Sequence, residues 1–165
     1  MVMSRLDSFI RRMTAQRDCL NWAAKAISAI PGPVLEFGLG NGRTYDHLQE
    51  ILPGRNIYVF ERELRAHAIS TPPEAFLILG DIEQTLPRTA NRLPEKAALA
   101  HIDLGTSNVT AYHALASRIG RPVKELMTTG GLIVSNIGLD IPGLTSLDPP
   151  PGVKPGRYFI YRVIR

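Results

Sequence analysis

The sequence is poor in cysteine and lacks long apolar runs, and each shortage excludes a class of protein. Its single cysteine, Cys19, has no partner for an internal disulfide, so we expect a reducing, cytoplasmic setting. No apolar stretch approaches the length of about 18 residues that a membrane span needs. Charged residues break the N-terminal segment every few positions, so we expect no signal peptide.

Blocks of like charge are also missing. Basic residues outnumber acidic ones by 19 to 15, for a net charge of +4, but they are scattered along the chain. Nucleic-acid binding is therefore not indicated, and a solvated surface accounts for the arginines. The histidines do not cluster with the cysteine, so we expect no zinc site. His101 lies within an apolar run, which favours a hydrogen-bonded core residue over a catalytic base.

The segment 34–52 contains the strand, glycine turn and helix around which the rest of the chain is organised. Val34 to Phe37 reads as a short buried strand, and glycines then recur through 38–42. Arg43 to Leu52 has the apolar spacing of an amphipathic helix. Glycine is needed where a turn requires unusual backbone angles and where the backbone must approach a ligand. The pattern predicts the first half of a nucleotide-binding βαβ unit, with a merely glycine-rich turn as the alternative.

The remaining pattern alternates strands with helices. We predict strands over Asn56–Glu61, Ala75–Leu79, Ala97–Asp103, Leu132–Asn136 and Arg157–Ile164. We predict a helix over Ser4–Ile30, with a cap formed by Ser4 and Asp7, and a short helix over Arg62–Ile69. A weak helix covers 82–91 and is interrupted by Pro87. A fourth helix covers Asn108–Ile119 and is broken by Gly120 and Pro122.

This order predicts one α/β domain over residues 1–165, with a mostly parallel sheet and helices on both faces. Residues 1–32 form an N-terminal helical extension, and 137–156, rich in proline and glycine, form a loop. No helix precedes the C-terminal strand, so we place it antiparallel beside the fifth strand. Its usual outer partner would be missing or very short. Such exposed edges favour a homodimer or a higher homo-oligomer.

Acidic residues recur where the predicted strands end. Glu36, Glu61, Asp81 and Asp103 each stand in or just after one of four strands. Ligands of open α/β sheets bind outside the carboxyl ends of the strands. Clustered carboxylates repel one another, so a cationic or hydroxyl-rich ligand is the natural reason for them.

From Pro33 to Asn136 the chain resembles the class I S-adenosylmethionine-dependent methyltransferases, which have a three-layer Rossmann-like fold. The motifs that carry the resemblance are an acid with G-x-G-x-G at 36–42, the acid Glu61, the pair Gly80-Asp81, the acid Asp103, and the Gly-Gly turn at 130–131. Each motif is weak alone, but all five occur in order.

The resemblance implies S-adenosylmethionine as cofactor. Glu61 would accept from the ribose hydroxyls, Asp81 from the adenine amino group, and Asp103 would lie near the cationic end. Asp103 is also the candidate catalytic residue, either orienting the cofactor's ammonium group or taking a proton from the acceptor. The full expected cofactor-binding set is Glu36, Phe37, Gly38, Gly40, Asn41, Gly42, Thr44, Glu61, Arg62, Gly80, Asp81, Ile82 and Asp103.

Other interpretations stay open at this point. The alternatives are that Glu61 is a surface acid, that Asp81 is only a helix cap, and that Asp103 is a cap or turn residue. A nicotinamide dinucleotide fold is disfavoured, because its G-x-G-x-x-G pattern would need glycine where Arg43 stands. A non-catalytic binding or interaction module of the same fold remains an alternative.

The acceptor is weakly indicated. Nucleic-acid amino-methyltransferases often carry an Asp/Asn-Pro-Pro motif after the fourth strand, whereas this chain has the sequence DLGT at 103–106. In metal-dependent catechol O-methyltransferase-like enzymes, Asp103 and Asn136 would match ligands, but Ser135 replaces the second aspartate. We therefore expect a small-molecule acceptor and no metal.

Overall fold

A computed structural model describes residues 3–105 and 108–165, and in this part of the chain helices flank a seven-stranded sheet. The strands are β1 (Val34–Phe37), β2 (Ile57–Glu61), β3 (Leu77–Leu79), β4 (Ala97–Ile102), β5 (Met127–Ser135), β6 (Leu144–Leu147) and β7 (Phe159–Val163). The α-helices are α1 (Arg5–Ala26), α2 (Arg43–Ile51), α3 (Ile82–Thr89) and α4 (Val109–Glu125), and short 3₁₀ turns lie at Ala68–Ser70 and Glu74–Phe76.

The strand order is β3-β2-β1-β4-β5-β7-β6. Strands β1 to β5 run parallel, while β7 pairs antiparallel with β5 on one side and β6 on the other. The predicted α/β class, with a mostly parallel sheet and an antiparallel C-terminal strand, is confirmed. Because the order reverses at β1 and β4, their carboxyl ends open a crevice, which is where ligands of such sheets bind.

Two apolar cores cover the two faces of the sheet. One contains residues of α1 and α2, and the other contains residues of α3 and α4. Side chains alternate along β1, so Leu35 and Phe37 enter the α3/α4 core and Val34 enters the α1/α2 core. Glu36 shares the face of Val34, which directs its carboxylate beneath α1 and α2 rather than outward.

Helix α1 is held at both ends. The Ser4 side chain accepts a hydrogen bond from the Asp7 amide, as its capping pattern predicts. After the last turn, the half-buried Arg55 donates to the carbonyls of Ile27, Ile30 and Gly32. Since Ile27 is the C-cap of α1, these bonds tie the end of the helix and the chain after it to the segment before β2.

Cys19 lies in the middle of α1 and is fully buried. Burial raises the pKa of its thiol to about 11, and the charge of Asp18 acts in the same direction. The residue is therefore part of the core and not a reactive nucleophile, as its place on the apolar stripe predicts.

The helix predicted over Arg62–Ile69 is wrong. Only the 3₁₀ turn at its end is helical, and the third strand begins at Leu77. The amides of Arg62 and Glu63 point to the Glu61 carboxylate, which bends the chain away from a helix. Since Ile69 is exposed, the segment also has little apolar burial to stabilise a helix.

The predicted break at Gly120 and Pro122 is also wrong, because α4 continues through both residues. Ile119 and Val123 are buried on its sheet-facing side, so packing outweighs the roughly 3 kcal/mol that an interior proline costs. At Gly120 the helix packs closely against Ile141, whose side chain would have to shift to make room for a larger residue. A Cβ there would lie 2.7 Å from the side chain of Ile141.

The segment 137–156 is not a loop throughout, because β6 forms inside it. Leu144 to Leu147 pairs with β7, whose outer edge would otherwise be unsatisfied. The outer strand was expected to be missing or very short, and it has four residues. No helix in the described residues is long and apolar enough to cross a membrane.

Candidate functional site

A cleft of about 910 Å³ opens at the carboxyl ends of the parallel strands. The 38–42 turn after β1, the end of β2, the start of α3 and the residues after β4 form its walls. Nine of the predicted cofactor-binding residues line it, namely Gly38, Gly40, Asn41, Glu61, Arg62, Gly80, Asp81, Ile82 and Asp103.

The first two glycines of the turn serve different purposes. Gly38 has φ +94°, and a Cβ there would lie 2.6 Å from the backbone oxygen of Asp103. Its small size is therefore demanded by the protein itself. Gly40 has φ +54°, but a Cβ there would meet nothing within 4 Å. Since Gly40 faces the cleft, the open space beside it is available to a ligand.

Glu61 connects β2 to the glycine turn. Its Oε2 accepts hydrogen bonds from the amides of Leu39 and Gly40, each at 2.9 Å. Its Oε1 accepts from the Arg62 amide at 2.7 Å and lies 3.4 Å from the Glu63 amide. The carboxylate thus fixes the turn in place, which a surface acid would not do.

Asp81 caps α3 and lines the cleft at the same time. One of its side-chain oxygens accepts from the Glu83 amide at 2.9 Å. Arg118 of α4 then pairs with Glu83 through two nitrogens, at 2.6 and 3.1 Å. Asp81 is therefore the cap of α3, as the alternative interpretation states, and it also lines the cleft.

Asp103 follows β4 at the inner end of the cleft, and its side chain is 18% exposed. The Gln16 amide nitrogen donates to Oδ2 at 2.6 Å, and the Asn136 amide nitrogen donates to Oδ1. Arg12 of α1 lies 3.8 Å away. The carboxylate is therefore held in place by donors from two different elements.

Four predicted residues do not line the cleft: Glu36, Phe37, Gly42 and Thr44. Glu36 is fully buried and accepts a hydrogen bond from the Thr44 hydroxyl. Phe37 stacks on Phe60 in the α3/α4 core, with ring centroids 4.4 Å apart. At Gly42 a Cβ would lie 2.4 Å from the side chain of Ser70. These residues therefore pack beneath or beside the glycine turn, away from the cleft.

A buried polar network extends from Glu36 to Asp103 beneath α1. His101 is the partner of Glu36 in the β1–β4 register, and its Nδ1 lies 2.7 Å from the Glu36 carboxylate. Its Nε2 lies 2.9 Å from the Tyr158 hydroxyl, to which Gln16 donates at 2.8 Å. His101 is thus the hydrogen-bonded core residue that its apolar setting favours.

Burial lowers the pKa of His101, but the charge and hydrogen bond of Glu36, with a smaller effect of Asp103, outweigh it. The net shift of the pKa of His101 is upward. Burial raises the pKa of Tyr158 well above its usual value, and the charge of Asp103 adds to the effect. The phenol therefore stays protonated and acts in the network as a hydrogen-bonding group.

Sequence reasoning missed Gln16, Tyr158 and Tyr112. Tyr112 donates to the Asn136 side-chain oxygen and accepts from the Leu104 amide at 3.1 Å. Only Gln16 left a signal, since it is a polar residue on the apolar stripe of α1, three residues after Met13. The two tyrosines look like ordinary core residues in the sequence.

The side-chain amide of Asn136 is hydrogen-bonded through both of its polar atoms. Its nitrogen donates to Asp103, and its oxygen accepts from Tyr112. In residues 3–105 and 108–165, no three or more histidine, cysteine or acidic side chains gather as a metal site. Residues 106–107 lie outside the description, so Thr106 of the predicted post-β4 stretch is not placed.

A family model described as S-adenosyl-L-methionine methyltransferase matches residues 3–163. The chain belongs to this family. The crystal structure of an S-adenosyl-L-methionine methyl transferase from Silicibacter pomeroyi DSS-3 is similar over almost the whole length. It is 49% identical, with a TM-score of 0.92, and the match covers 98% of this chain and 99% of that one. The methyltransferase activity and the cofactor S-adenosylmethionine follow from this membership.

More distant structures share the fold alone. Human methyltransferase-like protein 13, in complex with SAH, is 12% identical with a TM-score of 0.60, and the match covers 94% of this chain and 82% of that one. NSun6 from Pyrococcus horikoshii, with SFG, is 12% identical with a TM-score of 0.61, covering 89% and 52%. No curated protein in the comparison matches this methyltransferase.

The cleft of the methyltransferase fits its cofactor. Its volume lies in the range of about 300–1,000 Å³ that small-molecule sites occupy. The space beside Gly40 is free of protein atoms, so the backbone forms a cradle that a side chain would fill. Carboxylates at the ends of β2 and β4 and at the start of α3 suit a ligand with hydroxyl, amino and cationic groups.

Proposed function

We propose that this methyltransferase transfers the methyl group of S-adenosylmethionine to a small-molecule acceptor. The observation that carries the proposal is the meeting of Gly40, Glu61, Asp81 and Asp103 on one cleft, although they come from four separate segments. Bound S-adenosylmethionine would supply an activated methyl group to a lone pair of the acceptor, and the electron pair of the broken carbon–sulfur bond would stay on sulfur.

In this proposal Glu61 holds the ribose hydroxyls. Its carboxylate already faces four backbone amides, of which the Glu63 amide, at 3.4 Å, is the most distant. A ribose hydroxyl would replace that weakest contact or one of the turn amides. Cofactor binding and the conformation of the glycine turn would therefore be coupled through a single side chain.

Asp81 and the Ile82 amide would bind the adenine edge, while Arg62 and Gly80 line the same region. Gly38, Gly40 and Asn41 would face the methionine portion. Asp103 would orient the cofactor's ammonium group, with its carboxylate fixed in place by the hydrogen bonds from Gln16 and Asn136. Glu36, Phe37, Gly42 and Thr44 would support the turn without touching the cofactor.

Isothermal titration tests the cofactor assignment directly. S-adenosylmethionine and S-adenosylhomocysteine should bind with one site per chain, and NAD or NADP should not. Methyl transfer from radiolabelled cofactor to a mixture of small metabolites should then label material of low molecular mass. Label recovered only in protein or nucleic acid would overturn the small-molecule assignment.

We also propose that the protein works as a homodimer or higher homo-oligomer in the cytoplasm. Met3 and Leu6 are exposed at the beginning of α1, outside both cavities, and a second copy would cover them. Sedimentation velocity should show a dimer that Leu6→Asp weakens and that Leu64→Asp, at an exposed leucine elsewhere, leaves intact. A monomer at high concentration would contradict this. Cell fractionation tests the location.

A further inference from the structure

A second cavity, of about 370 Å³, lies between α1 and the beginning of α2. Its apolar wall consists of Phe9, Ile10, Met13 and Leu20. The other lining residues are polar or basic, namely Thr14, Gln16, Arg17, Arg43, Thr44 and His47. No acidic residue is among these ten, in contrast to the cofactor cleft, where five acids lie. The two spaces therefore suit ligands of opposite charge.

Two hydrogen-bonded pairs join the second cavity to the cleft. Gln16, which lines the cavity, donates to Asp103, which lines the cleft, at 2.6 Å. Arg43 of the cavity donates through Nε to the side-chain oxygen of Asn41 in the cleft, at 2.9 Å. The two spaces thus share a wall one side chain thick, at the end of the cleft where Asp103 lies.

The basic side chains of the cavity differ in whether an acidic side chain lies nearby. Arg17 pairs with Asp18 at 2.9 Å, and His47 lies 3.8 Å from Glu50. Arg43 instead contacts the neutral side-chain oxygen of Asn41 and lies 5.9 Å from the Phe9 ring centroid. A guanidinium with no acidic partner among the described residues, beside an aromatic ring and apolar walls, is an arrangement that suits a carboxylate on an apolar body.

We propose that this second cavity binds the methyl acceptor and that the acceptor is a small organic acid with an apolar, aromatic-sized body. The inference rests on the proposed function, since it places the acceptor beside the cofactor's cationic end. The Arg43 guanidinium binds the anionic group, and Phe9, Ile10 and Met13 pack on the body. The acceptor and the cofactor would meet at the boundary that Gln16 and Asp103 form.

Ligand-observed NMR with three matched probes tests the chemical class. Phenylacetate, phenylacetamide and 2-phenylethylamine share a body and differ in charge. They are titrated into protein saturated with S-adenosylhomocysteine. We expect phenylacetate to bind at least about tenfold more tightly than the neutral amide, the ratio that a 1.4 kcal/mol charge-assisted contact gives, and the amine to bind most weakly.

Variants then locate the binding. Arg43→Gln should weaken phenylacetate binding about tenfold and leave phenylacetamide unchanged. Met13→Gln should weaken both probes, because it removes part of the apolar wall. Arg11→Gln is the matched control, since Arg11 is an exposed arginine of α1 outside both cavities. It should leave the affinities of both probes and of S-adenosylhomocysteine as they are.

Each contrary result has a distinct meaning. Equal affinities for the three probes, no phenylacetate binding up to about 10 mM, or equal effects of Arg43→Gln and Arg11→Gln would overturn the inference. Competition between phenylacetate and S-adenosylhomocysteine would also overturn it, because the anion would then occupy the cleft. Failure of wild-type protein to bind S-adenosylhomocysteine would refute the proposed function instead, and that titration is read first.

Discussion

Nδ1 of His101 lies 2.7 Å from Oε2 of Glu36, and neither side chain is exposed to solvent. The two residues are partners in the β1–β4 register, so the backbone places them side by side. A buried charge is costly unless it is paired and hydrogen-bonded. Glu36 meets this condition through His101 and Thr44, so the acid that precedes the glycine turn stabilises the fold from inside.

This pair predicts a pH-dependent contribution to stability. The pKa of His101 is raised in the folded protein above its ordinary value of 6.5. The contribution of the charged pair is therefore complete below pH 6.5 and declines as the pH rises through the raised folded pKa. Glu36→Gln should lower the free energy of unfolding more near pH 6 than near pH 9.

Urea denaturation across that pH range measures the effect. Glu74→Gln, at an exposed position outside both cavities, serves as control and should show no such trend. A cost for Glu36→Gln that grows with pH would mean that His101 is neutral in the folded state.

Removing the Glu61 carboxylate should weaken cofactor binding. A charge-assisted hydrogen bond contributes about 1.5–3 kcal/mol, so Glu61→Ala should reduce the affinity for S-adenosylhomocysteine by roughly tenfold or more. The glycine turn also loses its two bonds to Oε2, while the sheet stays intact. Calorimetry gives the affinity and circular dichroism the fold. Unchanged affinity would make Glu61 a purely structural support.

Substitutions of three glycines separate backbone strain from ligand contact. Gly40→Ala and Gly54→Ala both place a side chain at positive φ in open space, at a cost of about 1–2 kcal/mol. Only Gly40 faces the cleft, so only Gly40→Ala should lose S-adenosylhomocysteine binding. Gly38→Ala should destabilise the protein further, because its Cβ would meet the Asp103 carbonyl. Thermal unfolding measures the stability of the three variants, and calorimetry measures their affinity for S-adenosylhomocysteine. Normal binding by Gly40→Ala would contradict the proposal that the backbone at Gly40 contacts the cofactor.

Asp103→Asn should impair cofactor binding more than turnover. The substitution keeps the shape but removes the charge that faces the cofactor, so affinity should fall by about tenfold while turnover at saturation changes little. If Asp103 instead removes a proton from the acceptor, affinity would be retained and turnover would fall by roughly 10²–10⁴. Separate measurement of Kd and of single-turnover rates decides between these roles.

Added chelator should leave methyl transfer intact. Asn136 donates to Asp103 and accepts from Tyr112, so both polar atoms of its amide already have hydrogen-bond partners. Assays with and without EDTA check the expectation. Activity that disappears with chelator and returns with magnesium would make Asp103 and Asn136 metal ligands.

The sequence pattern predicts the structure correctly where one local signal dominates. Consecutive apolar residues in β1, β2 and β4 mark strands buried on both faces, and the acids after them mark the cleft edge. The pattern failed where tertiary contacts decide. Burial of Ile119 and Val123 carries α4 through a proline, and pairing with β7 creates β6 within a proline-rich segment.

The site shows the same division. Glu61 and Asp81 were predictable because each terminates or follows a strand. The orientation of Glu36 was not, since strand alternation turned its carboxylate away from the cleft towards α1 and α2. Tyr158 could not be assigned from its neighbours, because the two residues it contacts, Gln16 of α1 and His101 of β4, lie far away in sequence.

The bonds of Arg55 to the chain just after α1 fix the C-terminal end of that helix. Gln16 lies ten residues before the end of α1, a distance of about 15 Å along the axis. A change of only about 4° in the direction of the helix would shift Gln16 by about 1 Å, which would lengthen its hydrogen bond to Asp103 beyond the usual range. The bond between Gln16 and Asp103 therefore depends on contacts at the opposite end of the sheet, away from both ligand spaces.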